Sequence, residues 1–274
     1  MNRPIGLFDS GLGGLTVVSK LIELLPNERF IYFADSARVP YGDKTPHQIK
    51  EYVFEIVDYL ISRDVKAVVM ACNTSSAIAY EEVAKKYDIA LFEVIKTAVK
   101  SALNITKNGK IGVIANEATV RSNVYSDKIR IISGNNVISY QKACPLLVPL
   151  IESGNIDTPK VKSVLMEYLL PLKKKNIDTL ILGCTHYPHV SHVIGEILPG
   201  VNILNPAKYI INNVKKYLEK EFLLSDGFSM ENVFVTSQDT ENFKIMGSRL
   251  TGLNIKDVIL YDYKDNYSLK SIAS

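Results

Sequence analysis

The feature that most limits what this chain can fold into is an alternation kept up along nearly all of its 274 residues. Short apolar runs fall at residues 5–8, 30–34, 65–71, 89–94, 110–115, 137–140, 179–182, 201–204, 233–236 and 258–261, and longer stretches with helical periodicity separate most of them. Runs this short and this continuously apolar suit strands buried on both faces, and parallel neighbours need a helix to reconnect them. One connecting stretch carries its own start signal. Thr45-Pro46-His47-Gln48 reads as a capping box with proline at the first helical position, followed by Ile49, Val53, Ile56, Val57 and Leu60 at helical spacing. The pattern predicts an α/β fold with mostly parallel sheets flanked by helices.

The alternation itself repeats. Ile5-Gly6-Leu7-Phe8-Asp9-Ser10 resembles Ile111-Gly112-Val113-Ile114-Ala115-Asn116, 106 positions later, and Cys72 and Cys184 end similar apolar runs 112 positions apart. Near-equal offsets predict two pseudo-symmetric α/β domains. Residues 1–95 form the first and residues 96–206 the second, while the tail 207–274, with a helical run over 209–222, returns to complete the first. Ligands of parallel α/β sheets bind beyond the carboxyl ends of the strands. The active site is therefore expected in the cleft between the domains, with Cys72 and Cys184 facing each other across it.

Composition narrows the partners. A chain 47% hydrophobic and 22% charged can bury a substantial core, and its net charge of +3 comes without a dense Lys/Arg block, so no nucleic-acid partner is expected. Lys173-Lys174-Lys175 reads as a solvated helix end. Three cysteines, an odd number, argue against a disulfide framework. Gly6 and Asp9 cut short the N-terminal apolar stretch, and no segment approaches the roughly 20 apolar residues of a membrane span, so a cytoplasmic protein without membrane attachment is expected.

The cysteines carry the chemical signal. Cys72 precedes Asn73-Thr74-Ser75-Ser76 and a helical run over 77–86; Cys184 precedes Thr185-His186-Tyr187-Pro188 and a run over 189–198. Backbone N–H groups at a helix start favour a thiolate over its usual pKa of about 8.5 and can also hold a carboxylate. A lone cysteine is more often an inert buried residue, but the repeated arrangement of strand, cysteine, polar segment and helix argues for function. Cys144, before Pro145 in an apolar stretch, reads as a buried structural thiol. Cys184, His186, His189 and His192 crowd together, yet there is no C-x-x-C pair, Pro188 interrupts, and side chains three apart march around a helix, so no metal is expected. His189 and His192 read as helix-surface residues and His186 as a proton relay for Cys184.

Asp9-Ser10-Gly11-Leu12-Gly13-Gly14 follows the first strand and opens the helical run Leu15, Val18, Leu21, Ile22, Leu25. It lacks the spacing and the lysine of a phosphate loop. A glycine-rich turn still lets a small anion approach backbone N–H groups, and Asp9 adds a carboxylate able to bind an ammonium or accept a proton. Arg38-Val39-Pro40-Tyr41-Gly42 is a loop by its proline and glycine.

Taken in order, Asp9-Ser10-Gly11-Leu12-Gly13-Gly14, Ala34-Asp35-Ser36-Ala37-Arg38-Val39-Pro40-Tyr41-Gly42, Cys72-Asn73-Thr74-Ser75-Ser76-Ala77 and Gly183-Cys184-Thr185-His186-Tyr187-Pro188 resemble the glutamate racemases of the aspartate/glutamate racemase family. The match spans nearly the whole chain, and the segment from Cys144 to Glu152 also looks like the family's. The resemblance implies cofactor-independent interconversion of L- and D-glutamate by two cysteines alternating as thiolate base and thiol acid, supplying D-glutamate for peptidoglycan. Cys72 would take the proton of D-glutamate while Cys184 delivers one, and the reverse for L-glutamate. Asp9 would assist Cys72, His186 would assist Cys184, and Glu152 would be a helper. Asp9, Ser10, Tyr41, Gly42, Asn73, Thr74, Thr119, Thr185 and His186 would hold the substrate. The residues suit the task, which needs a base and an acid on opposite faces of one carbon and donors for the charge that develops. One departure stands out: Ala115-Asn116 occupies the place of the family's usual Gly-Thr. The competing readings are a racemase of aspartate or hydantoin on the same frame, and a two-domain small-molecule binding protein with inert thiols. The sequence leaves a homodimer open.

Overall fold

The computed structural model describes residues 2–154, 156–227 and 231–263, and each of the ten apolar runs overlaps a strand. The strands are β1 (Ile5–Asp9), β2 (Phe30–Ala34), β3 (Ala67–Met70), β4 (Leu91–Glu93), β5 (Lys110–Ala115), β6 (Ile138–Ala143), β7 (Thr179–Gly183), β8 (Asn202–Leu204), β9 (Val233–Thr236) and β10 (Val258–Leu260). They form a six-stranded sheet in the order β10-β9-β2-β1-β3-β4 and a four-stranded sheet in the order β6-β5-β7-β8. All the pairings are parallel. The second sheet repeats the β2-β1-β3-β4 order of the first, so the sequence repeat is a repeat of topology. The extra strands β9 and β10 come from the tail and extend the first sheet beyond β2.

The two sheets share a middle layer. Ile5, Leu7 and Tyr32 of the first sheet and Ile111, Val113 and Ile181 of the second belong to one hydrophobic cluster. Between them lie the helices Leu15–Leu24, Val94–Ile105 and Pro206–Lys220. In Val94–Ile105, the residues Val94, Ile95, Ala98, Val99 and Ala102 are all buried, which is the broad apolar face a helix needs when it is covered from two sides. Residues at odd and even positions of one strand point oppositely. Phe8, Phe33 and Met70 accordingly face away, under the helix Pro46–Ser62, while Ile114, Leu180 and Leu182 face the helix Pro159–Lys174. Each fully buried side chain of this kind stabilises the fold by about 1.5–3 kcal/mol.

The helix starts that matter most differ from expectation. The helix after β3 begins at Asn73 instead of 77, with Cys72 itself at the N-cap. Small polar residues are at ease in a first turn, where N–H groups lack intrahelical partners. After Cys184 the chain instead makes a 3₁₀ turn, Tyr187–Val190, and the α-helix waits until Ser191–Ile197. Pro188 has no N–H to spare and suits that tight first turn. This tucks His189 in, half-buried and not on the surface, whereas His192 is exposed. The capping box at Thr45 and Gln48 forms as expected. Among the described residues, no helix is long and apolar enough to cross a membrane.

Candidate active site

A cavity of about 470 Å³ lies at the carboxyl ends of both sheets. Its wall is supplied strand by strand: Asp9 ends β1, Cys72 follows β3, Asn116 follows β5, Cys144 follows β6 and Cys184 follows β7. Cys72 and Cys184 thus arrive from the topologically equivalent strands β3 and β7, one from each sheet.

On the first-sheet side, Asp9 is buried and its Oδ2 accepts from the Gly14 N–H at 2.9 Å, the Gly11 N–H at 3.4 Å and the Thr185 hydroxyl at 3.4 Å. Its Oδ1 has no hydrogen-bond partner among the described residues. Burial raises the Asp9 pKa, against the charge of His186, the two backbone bonds and Cys72. The Cys72 thiol lies 3.7 Å from the Ser10 hydroxyl. Its pKa is pushed up to about 12 by burial and then by the Asp9 carboxylate, which outweigh the contacts with Ser75 and Ser10. The expected lowering by a helix start is overturned here, because a buried thiolate loses more by leaving water than the first-turn N–H groups return.

Gly13 allows this side to meet the other. A Cβ there would fall 2.2 Å from Thr185 Oγ1 and 2.5 Å from His186 Nδ1. Thr16, in the helix that follows, donates to the Thr185 carbonyl at 3.1 Å, so the glycine loop is pressed against the segment after β7.

On the second-sheet side, Cys184, His186 and Glu152 form a chain. His186 Nδ1 is 3.8 Å from Cys184 Sγ, and His186 Nε2 is 3.0 Å from Glu152 Oε1. Burial opposes a charge on His186, but the hydrogen bonds and charges of Cys184 and Glu152 outweigh it and raise the imidazole to about 10. At neutral pH the ring is therefore an imidazolium that donates from both nitrogens. Glu152 is the outer end of the chain, with 41% of its side chain exposed. His189 is lowered to about 4 by burial and by the charge of His186. Cys144, read as an inert buried thiol, is buried with a raised pKa, yet it also borders the cavity. Among the described residues no cluster of His, Cys, Asp and Glu could hold a metal ion.

The remaining wall sorts the other expected residues. Ser10, Gly42, Asn73, Thr74 and Thr185 line the cavity. Tyr41 lines it too, but its hydroxyl donates to Asp35, as does that of Tyr263, so Tyr41 offers the cavity its ring and backbone. Arg38 locks this loop, lying 3.4 Å over the Tyr263 ring and 2.6 Å from Glu55. Thr119 does not reach the cavity. It is fully buried behind Thr74, 3.2 Å from that hydroxyl. Sequence reasoning missed Tyr125, buried on the helix Val124–Ser133, whose hydroxyl donates to Asn73 Oδ1 at 2.7 Å. A buried tyrosine needs a partner for its hydroxyl, but nothing in the local sequence says where that partner lies. It also missed the apolar part of the wall, Val39, Pro40, Val148 and Pro149.

Comparison with known proteins agrees with this architecture. The family model for Asp/Glu/hydantoin racemases matches residues 5–214. A glutamate racemase of Thermoanaerobacter sp. (strain X514) is 45% identical over 261 residues, covering 95% of this chain and 97% of that protein. The crystal structure of glutamate racemase isoform RacE1 from Bacillus anthracis superposes with a TM-score of 0.91 at 35% identity, covering 95% of this chain and 98% of that one. The glutamate racemase of Francisella tularensis subsp. tularensis SCHU S4, in complex with D-glutamate, gives a TM-score of 0.89 at 37% identity with the same coverage. With a family match over most of its length, and two equivalent sheets converging on one cavity, this chain belongs to the Asp/Glu/hydantoin racemase family.

Proposed function

We propose that the chain interconverts L- and D-glutamate without a cofactor, by proton transfer between two opposed thiols. The observation that carries this reading is that Cys72 and Cys184 line one cavity from equivalent strands of the two sheets, each with its own polar partner. The identity of the substrate is supported by the near full-length likeness to glutamate racemases, one of them bound to D-glutamate. The division of strands between two sheets supports treating residues 1–95 with 207–274 as one domain and 96–206 as the other.

In the reaction, the Cys72 thiolate removes the α-proton of D-glutamate, the electron pair of the C–H bond moves onto the carbon and its carboxylate, and the Cys184 S–H bond gives a proton to the opposite face. Cys72 ends as thiol and Cys184 as thiolate, so the reverse reaction runs with the roles exchanged. Asp9, with one oxygen unpartnered among the described residues and a pKa raised by burial, is suited to take the Cys72 proton beforehand. His186, held as imidazolium and backed by Glu152, is suited to supply a proton to Cys184. Asn73, Thr74, Thr185, Ser10 and the Tyr41-Gly42 backbone provide donors for the carboxylates, where preorganised groups lower the cost of developing charge. The product, D-glutamate, would serve peptidoglycan synthesis.

The test is circular dichroism of the protein incubated with each enantiomer of glutamate, and separately with aspartate. Decay of the signal from both glutamate enantiomers, with solvent deuterium appearing at the product α-carbon in D₂O, is expected. Stable glutamate signals while aspartate racemises would move the assignment to the sibling activity, and no decay with either would support a binding protein.

A further inference from the structure

Asn73 and Thr74 stand at the start of the helix Asn73–Lys86 and line the cavity, and neither residue type has a fixed polarity. An asparagine amide can turn either its oxygen or its nitrogen toward a ligand, and a threonine hydroxyl can donate or accept. For a dicarboxylate, only the donor arrangement attracts. Each of the two is held by a buried or half-buried partner from the segments that follow β5.

Tyr125 is fully buried and its hydroxyl is 2.7 Å from Asn73 Oδ1. Turning the Asn73 amide over would put Nδ2 against the tyrosine and strand the buried O–H without its acceptor, which costs about 1–3 kcal/mol. The oxygen therefore stays on Tyr125, leaving the Nδ2 donors for the cavity. Asn116 is fixed with less room still. Its Oδ1 accepts the Thr119 backbone N–H at 2.8 Å as the N-cap of Glu117–Arg121, so its other end must be Nδ2, and Nδ2 donates to Thr74 Oγ1. Thr119 Oγ1, 3.2 Å from Thr74 Oγ1, can fill the second lone pair of that oxygen. Thr119 is fully buried and its hydroxyl has no other hydrogen-bond partner among the described residues, so its proton goes to Thr74 Oγ1 and the Thr74 proton is left to point into the cavity.

We propose that Tyr125 and Asn116 are positioning residues that fix the hydrogen-bond polarity of Asn73 and Thr74, so that both present donors to a carboxylate in the cavity. The inference rests on the racemase reading, which supplies the carboxylate. It gives Asn116, the departure from the family's usual residue, a role exerted through Thr74, and it gives Thr119 the same indirect role. Both bonds cross between segments of different sheets, so the carboxylate grip is complete only when the two sides of the cleft are together.

The experiment measures kcat and KM for both enantiomers, with melting temperature, in wild type, Asn116→Ser, Asn116→Ala and Tyr125→Phe. Serine caps a helix about as well as asparagine but cannot reach Thr74, so it separates capping from polarity. The expected result is a loss of about tenfold to a hundredfold in kcat/KM for Asn116→Ser and Asn116→Ala alike, larger in KM than in kcat, with the serine variant melting near wild type; this is the size of one lost charge-assisted hydrogen bond. Tyr125→Phe is expected to lose activity in the same KM-weighted way. Serine and phenylalanine variants within twofold of an active wild type would overturn this inference alone. A wild type that neither binds nor racemises glutamate would overturn the underlying reading, and this one with it.

Discussion

Replacing Glu152 with glutamine removes one negative charge from His186 while keeping the side chain's shape and a hydrogen-bond acceptor at the same place. In the intact site the imidazole titrates at about 10, because Cys184 and Glu152 together outweigh the burial that opposes its charge. Glu152 Oε1 lies 3.0 Å from Nε2, but 41% of its side chain is exposed, so water screens the pair. Between effective dielectric constants of about 20 and 80, two charges at contact attract by roughly 1–4 kcal/mol, and the exposure favours the lower half of that range. Since 1.4 kcal/mol corresponds to about one pH unit, the His186 pKa should fall by about one to two pH units in Glu152→Gln.

The sign follows from the role proposed for His186. An imidazolium that supplies a proton fails as the pH climbs through its pKa, so the alkaline limb of kcat/KM, which reports the free enzyme, should move down by the same amount. Near neutral pH the variant should lose little, while near about pH 9 it should lose roughly twofold to tenfold. Stability should follow. The folded-state pKa of about 10 lies above the unfolded value of 6.5, so the stabilisation from His186 is fully present below about pH 6.5 and is lost as pH rises through about 10. In the variant that loss sets in earlier. With four histidines in the chain, nitrogen-15 NMR can follow the His186 ring directly beside the pH–rate profile. An alkaline limb that stays in place, or a wild-type His186 that titrates near about 6.5, would refute the chain from Glu152 through His186 to Cys184.

Cys72→Ser and Cys184→Ser should each lower kcat by about 10²–10⁴-fold, the usual worth of one acid–base group, and a variant racemising at the wild-type rate would exclude the two-thiol mechanism. Gly13→Ala should separate the glycine loop from Thr185 and His186, since its Cβ would sit 2.2 Å and 2.5 Å from their side-chain atoms. A cost of about 1–3 kcal/mol in stability is expected, with a larger loss of kcat/KM than of secondary structure; an alanine variant of unchanged activity and melting temperature would show that the loop does not press on that segment.

The strands were legible because each is a continuous apolar run, and burial on both faces leaves such runs no other home. The repeat of Ile5-Gly6 at Ile111-Gly112 anticipated the repeated strand order, and the cysteines at matching strand ends anticipated the shared cavity. Helix starts were less legible. Asn73 and Thr74 read as a polar segment ahead of a helix from residue 77, yet small polar residues are also what a first helical turn accepts. Partnerships between segments distant in sequence were not legible in the residues themselves, and Glu152 entered only through the family resemblance. Tyr125 and Asn73 are 52 positions apart, Glu152 and His186 are 34, and Asp35 and Tyr263 are 228, and such pairs are decided by tertiary packing. The thiol pKa went wrong for a related reason: the sequence shows the helix start near Cys72 but not the loss of water around it.

The unequal surroundings of the two thiols lead to a kinetic expectation that thermodynamics constrains tightly. L- and D-glutamate have equal free energies, so their equilibrium constant is one, and kcat/KM must be the same in both directions for wild type and every variant. Asymmetry can therefore appear only in kcat and KM taken separately. Burial and Asp9 push the Cys72 pKa up to about 12, so near neutral pH Cys72 carries its proton. In the proposed mechanism that form delivers a proton from Cys72, in the L-to-D direction, once Cys184 is the thiolate. D-glutamate meets the same form with its base already occupied and is held unproductively until the proton leaves. Unproductive binding lowers kcat and KM by one common factor and leaves their ratio alone. D-glutamate should thus show both the lower KM and the lower kcat, in equal proportion, and raising the pH should narrow the gap as Cys72 gives up its proton. A lower KM and kcat for L-glutamate would mean that Cys72 rests as the base, and that Asp9 removes its proton before substrate arrives.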